Sequence, residues 1–200
     1  MNLPNLITLI RFPLLFIIAL LLYFPFVGSR SLAFLLYLAS GFSDWLDGYI
    51  ARRCDMVSNF GKFMDALSDK ILMLGLFIVL LVIGILPSIF VFLILFVLGR
   101  EFFVTGIRLV AASRNIIISA ERSGKIKTII QMISVGSLIC SQAVFFDGRF
   151  LLPSRCAPCL AYLAFALLLF GYVLFLVAVV CAIESGIRYT KKYRFIFSQT

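Results

Sequence analysis

"SLAFLLYLASGFSDWLDGYIARR", residues 31–53, is the stretch on which the fold turns. Residues 31–42 are apolar, but a helix that crosses a bilayer needs about 20 such residues. The segment becomes a span only if one helix carries on through Asp44 and Asp47, which places charge toward one end of it. The other apolar runs, residues 12–28, 71–87, 88–112, 126–146 and 157–183, are each near the required length without help. Counting 31–53 as one helix, the sequence predicts an all-α, polytopic membrane protein with six transmembrane helices, forming a single domain over residues 1–200. Composition agrees: 63% of residues are hydrophobic and 14% charged, against about 25% charged in a soluble domain.

The flanks set the expected orientation. "MNLPNLITLIRFPLLF", residues 1–16, has one positive charge, Arg11, and no small-residue cleavage signature, so removal as a signal peptide is not expected. It reads as a short interfacial helix leading into the first span. Basic residues gather on alternate connections: Arg52, Arg53 and Lys62, then Arg114, Arg122, Lys125 and Lys127, then Arg188, Lys191, Lys192 and Arg194. The opposite connections hold only Arg30, Arg149 and Arg155. Cytoplasmic loops carry the Lys and Arg excess, so both termini and the aspartates are expected in the cytoplasm. The net charge of +9 lies beside spans, where it suits anionic lipid rather than nucleic acid. "CAPC", with Cys156 and Cys159, falls in an expected external loop. A local disulfide is possible there, whereas a metal site would need two more ligands.

The aspartates carry the chemistry. An aspartate at the middle of a spanning helix costs about 2.5–3.5 kcal/mol on insertion scales, so such residues face a polar interior and need partners. Asp44 and Asp47 are spaced i, i+3, with Gly48 and Ala51 on the same stripe, and Gly61, Asp65 and Asp69 follow at i, i+4, i+8. A short turn through "RRCDMVSN", residues 52–59, makes the two helices antiparallel neighbours whose acidic faces can meet. Convergent carboxylates form an all-oxygen site for hard cations, Mg²⁺ or Mn²⁺ rather than zinc. Two such ions can clamp the attacking and leaving oxygens of a phosphoryl transfer. The chain has no histidine, which excludes Ser-His-Asp and Cys-His chemistry and leaves a carboxylate as the candidate general base. A solvated acidic loop offsetting Arg52, Arg53, Lys62 and Lys70 has no reason to keep two helical registers.

Asp44, Asp47, Gly48, Ala51, Arg52, Gly61, Asp65 and Asp69 fit the pattern D-x2-D-G-x2-A-R-x8-G-x3-D-x3-D at every fixed position and gap. That pattern resembles the signature of the CDP-alcohol phosphatidyltransferase family. The resemblance implies a six-helix membrane enzyme, usually a homodimer, that moves a phosphatidyl or similar group from a CDP-linked donor to an alcohol with two divalent cations. It implies that Asp44, Asp47 and Asp65 bind metal, that Asp69 is the base and also a metal ligand, and that Gly48, Ala51, Arg52 and Gly61 hold the CDP part of the donor. Arg52 can equally be read as an inside-facing topology charge.

Further polar residues point to the acceptor. In "GREFFVTGIRLVAAS", residues 99–113, Glu101, Thr105 and Arg108 form one stripe, with Arg100 beside it in the span. "GKIKTIIQM", residues 124–132, adds Lys125 and Lys127, which could instead snorkel to the interface. Arg100, Arg108, Lys125 and Lys127 are the candidates for binding a phosphate on the acceptor, with Arg11, Asn5 and Thr8 as weaker ones. These stretches, together with "NLPNLITLIRFPL" and "GKFMDALSDK", look like the phosphatidylglycerophosphate synthase branch over most of residues 2–135. Between Asp65 and Asp69 that branch commonly carries a proline and an alanine, and the proline's absence leaves the helix more regular. The resemblance implies transfer from CDP-diacylglycerol to the 1-hydroxyl of sn-glycerol 3-phosphate in a bacterial inner membrane, giving phosphatidylglycerol phosphate and CMP. The alternatives are another acceptor in the same family, for cardiolipin, inositol phosphate or serine, and a cation transporter using the buried carboxylates.

Overall fold

The computed structural model describes the backbone of residues 3–53, 59–113, 122–151 and 157–192, and the side chains of 11–43, 67–68, 70–108, 110–111, 124, 126–150 and 157–191. Cys156 and the topology charges Arg114, Arg155 and Arg194 lie outside the described residues. The elements are α1 (Leu3–Tyr23), α2 (Ser29–Arg53), α3 (Asn59–Val82), α4 (Phe90–Ser113), α5 (Arg122–Gln142), a π turn (Ala143–Asp147), α6 (Gly148–Leu151) and α7 (Ala157–Lys192). The described residues form no strand. Among the described residues three stretches, Phe90–Arg108, Ile126–Phe150 and Ala157–Lys191, are long and apolar enough to cross a membrane, and Arg11–Tyr23 and Lys70–Val82 are shorter apolar ones. In lipid a helix satisfies its own backbone, which is why so apolar a chain folds as helical rods.

The stretch that decides the fold is one helix. Residues 31–42 and the first aspartate pair share α2 without a break. The N-terminal segment, expected as a short interfacial helix leading into the first span, is continuous with the apolar stretch that follows it in α1, with Pro13 inside the helix. Proline removes one backbone donor, a loss that neighbouring helices can absorb in an apolar bundle.

α1 packs on α2 and α3, while α5 packs on α2, α3 and α7. The shared core includes Ile18 and Leu22 of α1, Leu76 and Leu80 of α3, Leu138 and Ile139 of α5 and Phe175 of α7, all buried. α5 and α7 meet through small residues. A Cβ added to Gly171 would lie 2.7 Å from Leu138 Cγ, and the Ser134 and Ser137 hydroxyls donate to the carbonyls of Gly171 and Leu167 at 2.8 and 2.7 Å.

At one end of the bundle, the buried Asp147 carboxylate receives the Gly28 N–H at 3.0 Å and both the N–H and hydroxyl of Ser31 at 2.7 Å. It thus caps the N-terminus of α2, where helix N–H groups lack partners. Gly28, at φ +88°, occupies the left-handed region that favours glycine. Arg30 donates to Gln142 at 2.6 Å and lies 4.7 Å from the centre of the Phe146 ring.

Gly171→Val is expected to lower the thermal midpoint of the detergent-solubilised protein by an amount equivalent to about 1–3 kcal/mol, because its side chain enters space held by Leu138. Gly106→Ala, whose Cβ meets nothing within 4 Å, should leave the midpoint unchanged or raise it. Equal melting of the two variants would show that the α5–α7 contact is looser than described.

Candidate functional site

α3, α4, α5 and α7 converge on a polar cavity of about 180 Å³. Its charged lining among the described residues is Lys70, Arg100, Arg108 and Lys127, against a single carboxylate, Glu101. Arg100 Nη1 donates to Glu101 Oε1 at 2.7 Å and Arg100 Nη2 to the Ser185 hydroxyl at 2.6 Å. Lys127 Nζ also donates to Glu101 Oε1, and Lys70 Nζ to the Thr105 hydroxyl. The Thr105 hydroxyl itself donates to the Glu101 carbonyl at 2.8 Å. Arg108 Nε donates to the Tyr189 hydroxyl at 2.8 Å, with its guanidinium 5.3 Å from the ring centre. Tyr189 is in turn fixed by packing with Val104, Ile107 and Ala111.

Two of the expected phosphate-binding cations on α4 and one on α5, namely Arg100, Arg108 and Lys127, are thereby brought together. Lys127 does not snorkel: its side chain is only 2% exposed. Lys125 stands on α5, with its side chain outside the described ones. Lys70, Ser185 and Tyr189 are additions that no single stretch of sequence announces. Lys70 follows the last aspartate and reads as its counter-charge, and Ser185 and Tyr189 follow the last apolar run, among Glu184, Arg188 and Lys191. Arg100 reaches Ser185 across Gly186, where a Cβ would be 3.2 Å from Arg100 Cγ. Several cations around one carboxylate are costly in a membrane protein unless an anion enters. Phosphate is the anion best matched to arginine and lysine donors.

The aspartates are placed by backbone. Asp44, Asp47, Gly48, Ala51 and Arg52 lie on α2, and Gly61, Asp65 and Asp69 on α3, helical throughout. The side chains of Asp44, Asp47, Arg52, Asp65 and Asp69 lie outside the described ones, as do those of Asn5 and Thr8 on α1. Tyr37, Ser40 and Gly41 of α2 share a small space of about 10 Å³ with Leu72 and Met73 of α3, Arg11 of α1 and Met132 of α5. Arg11 therefore belongs to the junction of α2 and α3 rather than to the larger cavity. At the far end, Arg53 and Asn59 are separated by residues 54–58 alone, a reach of at most about 20 Å. α2 and α3 thus both line this space, at 37–41 and 72–73, and are tethered beyond Arg53. Asp44 is one helical turn past Gly41, and Asp69 one turn before Leu72 and Met73. Lys70 and Met73 border a further space of about 40 Å³ with Glu101 and Lys127, which joins this junction to the cationic cavity.

Residues 1–184 match the family model described as CDP-alcohol phosphatidyltransferase. A CDP-diacylglycerol–glycerol-3-phosphate 3-phosphatidyltransferase of Bacillus subtilis (strain 168) is 37% identical over 156 residues, covering 72% of this chain and 79% of the relative. One from Rickettsia typhi is 37% identical over 141 residues, with 69% and 76% covered. A third relative, CDP-diacylglycerol–glycerol-3-phosphate 3-phosphatidyltransferase 2 of Arabidopsis thaliana, is 32% identical over 164 residues, with 76% and 70% covered.

Inorganic phosphate is expected to raise the thermal midpoint of the solubilised protein, since a ligand that binds only the folded state stabilises it. Tyr189→Phe keeps the ring under Arg108 but loses its hydroxyl and should weaken phosphate by about 2- to 10-fold. Arg108→Gln should remove most of the shift. No phosphate-dependent shift in the unmodified protein would refute the anion site.

Proposed function

The chain belongs to the CDP-alcohol phosphatidyltransferase family, and from that premise we propose that it transfers the phosphatidyl group of CDP-diacylglycerol to the 1-hydroxyl of sn-glycerol 3-phosphate. The products are phosphatidylglycerol phosphate and CMP. The observation that carries the choice of acceptor is the cavity where Lys70, Arg100, Arg108 and Lys127 surround one carboxylate. Serine, a zwitterion without net charge, leaves that charge unbalanced, whereas a phosphate monoester, glycerol 3-phosphate or inositol phosphate, balances it. The names of the Bacillus and Rickettsia relatives agree.

Each role falls to residues already located. Arg100, Arg108, Lys125 and Lys127 hold the acceptor phosphate, joined by Lys70. Asp69 takes the proton from the attacking 1-hydroxyl. The new bond forms between that oxygen and the phosphatidyl phosphorus, while the bond from this phosphorus to the bridging oxygen breaks and CMP departs. Gly48, Ala51, Arg52 and Gly61 bind the CDP part, glycine and alanine leaving room for a flat base and Arg52 meeting diphosphate charge. The all-oxygen donor set of Asp44, Asp47, Asp65 and Asp69 fits two Mg²⁺ or Mn²⁺ ions, on helices that both line the small space at 37–41 and 72–73. When bound, such ions supply positive charge that stabilises the transferring phosphate and the leaving nucleotide.

The apolar helices make this a membrane protein. We place it in the bacterial cell (inner) membrane as a six-span, multi-pass homodimer with both termini cytoplasmic, forming one domain over residues 1–200. The Lys and Arg excess near Arg53, Arg122 and Lys192 supports that orientation.

The test is CMP release by the purified protein from CDP-diacylglycerol in micelles, with glycerol 3-phosphate, serine, inositol phosphate and phosphatidylglycerol offered separately. Release is expected with glycerol 3-phosphate alone, lost on chelation and restored by Mg²⁺ or Mn²⁺. Asp69→Asn should lower turnover by about 10²- to 10⁴-fold. Turnover with serine but not glycerol 3-phosphate would overturn the acceptor, and an undiminished Asp69→Asn would remove the proposed base.

A further inference from the structure

A cavity made only to bind a phosphate monoester gains nothing from a carboxylate in its wall, because like charges repel at close range. Glu101 nevertheless lines it. Charge balance for Arg100 and Lys127 explains one of its oxygens, since both cations donate to Oε1. Among the described residues no donor reaches Oε2. Of the neighbouring hydroxyls, those of Thr105 and Thr128 donate to the carbonyls of Glu101 and Gly124, while those of Ser185 and Tyr189 accept from Arg100 and Arg108. An ionised carboxylate accepts hydrogen bonds and cannot donate them. Glu101 Oε2 is therefore suited to a ligand group that donates.

We propose that Glu101 determines acceptor specificity by accepting a hydrogen bond from the secondary hydroxyl of the acceptor, so that the cavity selects a phosphorylated polyol over other phosphate monoesters. This rests on the reading of the cavity as the acceptor site. The phosphate is held by the cations, the primary hydroxyl is left to attack, and the hydroxyl between them is read by Oε2. A ketone at that carbon has no proton to offer and would set its oxygen against the carboxylate.

The test compares three acceptors in the CMP-release assay: sn-glycerol 3-phosphate, 3-hydroxypropyl phosphate, which lacks only the secondary hydroxyl, and dihydroxyacetone phosphate, which has a ketone there. The unmodified enzyme is expected to favour glycerol 3-phosphate over each analogue by about 10- to 100-fold in kcat/KM, the range for a hydrogen bond to a charged group. In Glu101→Gln the cations hold the amide oxygen, so the amide N–H₂ takes the place of Oε2 and both preferences should shrink to about threefold or less. Each preference is a ratio within one preparation, so partial misfolding of the variant leaves it unaffected. Preferences of at least tenfold that persist in Glu101→Gln would overturn the proposal, leaving Glu101 as charge balance alone. An unmodified enzyme that uses glycerol 3-phosphate and 3-hydroxypropyl phosphate within threefold of each other would overturn it without any variant. Absence of CMP release with all three acceptors would instead defeat the underlying reading of the site.

Discussion

A guanidinium on α4 and an ammonium on α5 share one carboxylate oxygen, that of Glu101, in a protein whose outer helices face lipid. Burying an ion is costly, and removing one partner from a buried pair typically destabilises by about 3–5 kcal/mol because the other charge is left uncompensated. The same requirement extends outward: Arg100 continues to Ser185 on α7, and Lys70 on α3 reaches Thr105 on α4. Helices in a bilayer gain little from hydrophobic association, so small residues and polar contacts decide which surfaces meet. Here the groups that unite α3, α4, α5 and α7 are the same groups that line the cavity. Packing and the cavity's lining therefore depend on one set of charges, positive in sum among the described residues.

The opposite end of the bundle is fixed by a different device. Asp147 lies on a π turn, whose wider backbone ring interrupts the α-helical register between α5 and α6. Its carboxylate caps α2, where negative charge is also favoured by the helix dipole. Further along, the Tyr37 hydroxyl donates to the Met132 carbonyl at 2.6 Å, holding α2 to α5 a second time. At about 1.5 Å of rise per residue, Asp44 stands some 20 Å from the cap. The axial position of the first aspartate pair is therefore set from the far side of the membrane domain, by a residue more than a hundred positions later in the chain.

What could be read from the sequence follows from where each piece of information resides. The continuity of α2 was legible because an apolar run too short to span has to borrow its remaining length from the next residues. The stripe of Glu101, Thr105 and Arg108 was legible because a single helix's period generates it. Lys70, Ser185 and Tyr189 were not, since their role arises only when α3 and α7 are brought against α4. The cap by Asp147 was equally hidden: nothing local connects it with Gly28 or Ser31. Arg11 illustrates a limit of another kind, because a buried cation near the start of a helix can be recognised as unusual without its position in the bundle being known. The continuity of α1 was not legible either, since nothing local says whether a helix passes through Pro13.

α3 holds the two halves of the site in a fixed relation. Successive residues on a helix point about 100° apart, so Asp69 and Lys70 occupy different faces although they are adjacent in sequence. The register of Asp69 is that of Leu72 and Met73, which border the junction with α2, whereas Lys70 opens into the cavity formed with α4, α5 and α7. On the proposed reading one helix therefore carries the base and, next to it in sequence, an acceptor-side cation. Met73 borders both the junction and the intermediate space that reaches Glu101 and Lys127, so the two regions are separated by little more than a side chain. A rotation of α3 would move base and cation together. On the proposed reading, proton removal and phosphate binding are coupled through the position of this one rod, which packs against α1, α4 and α5.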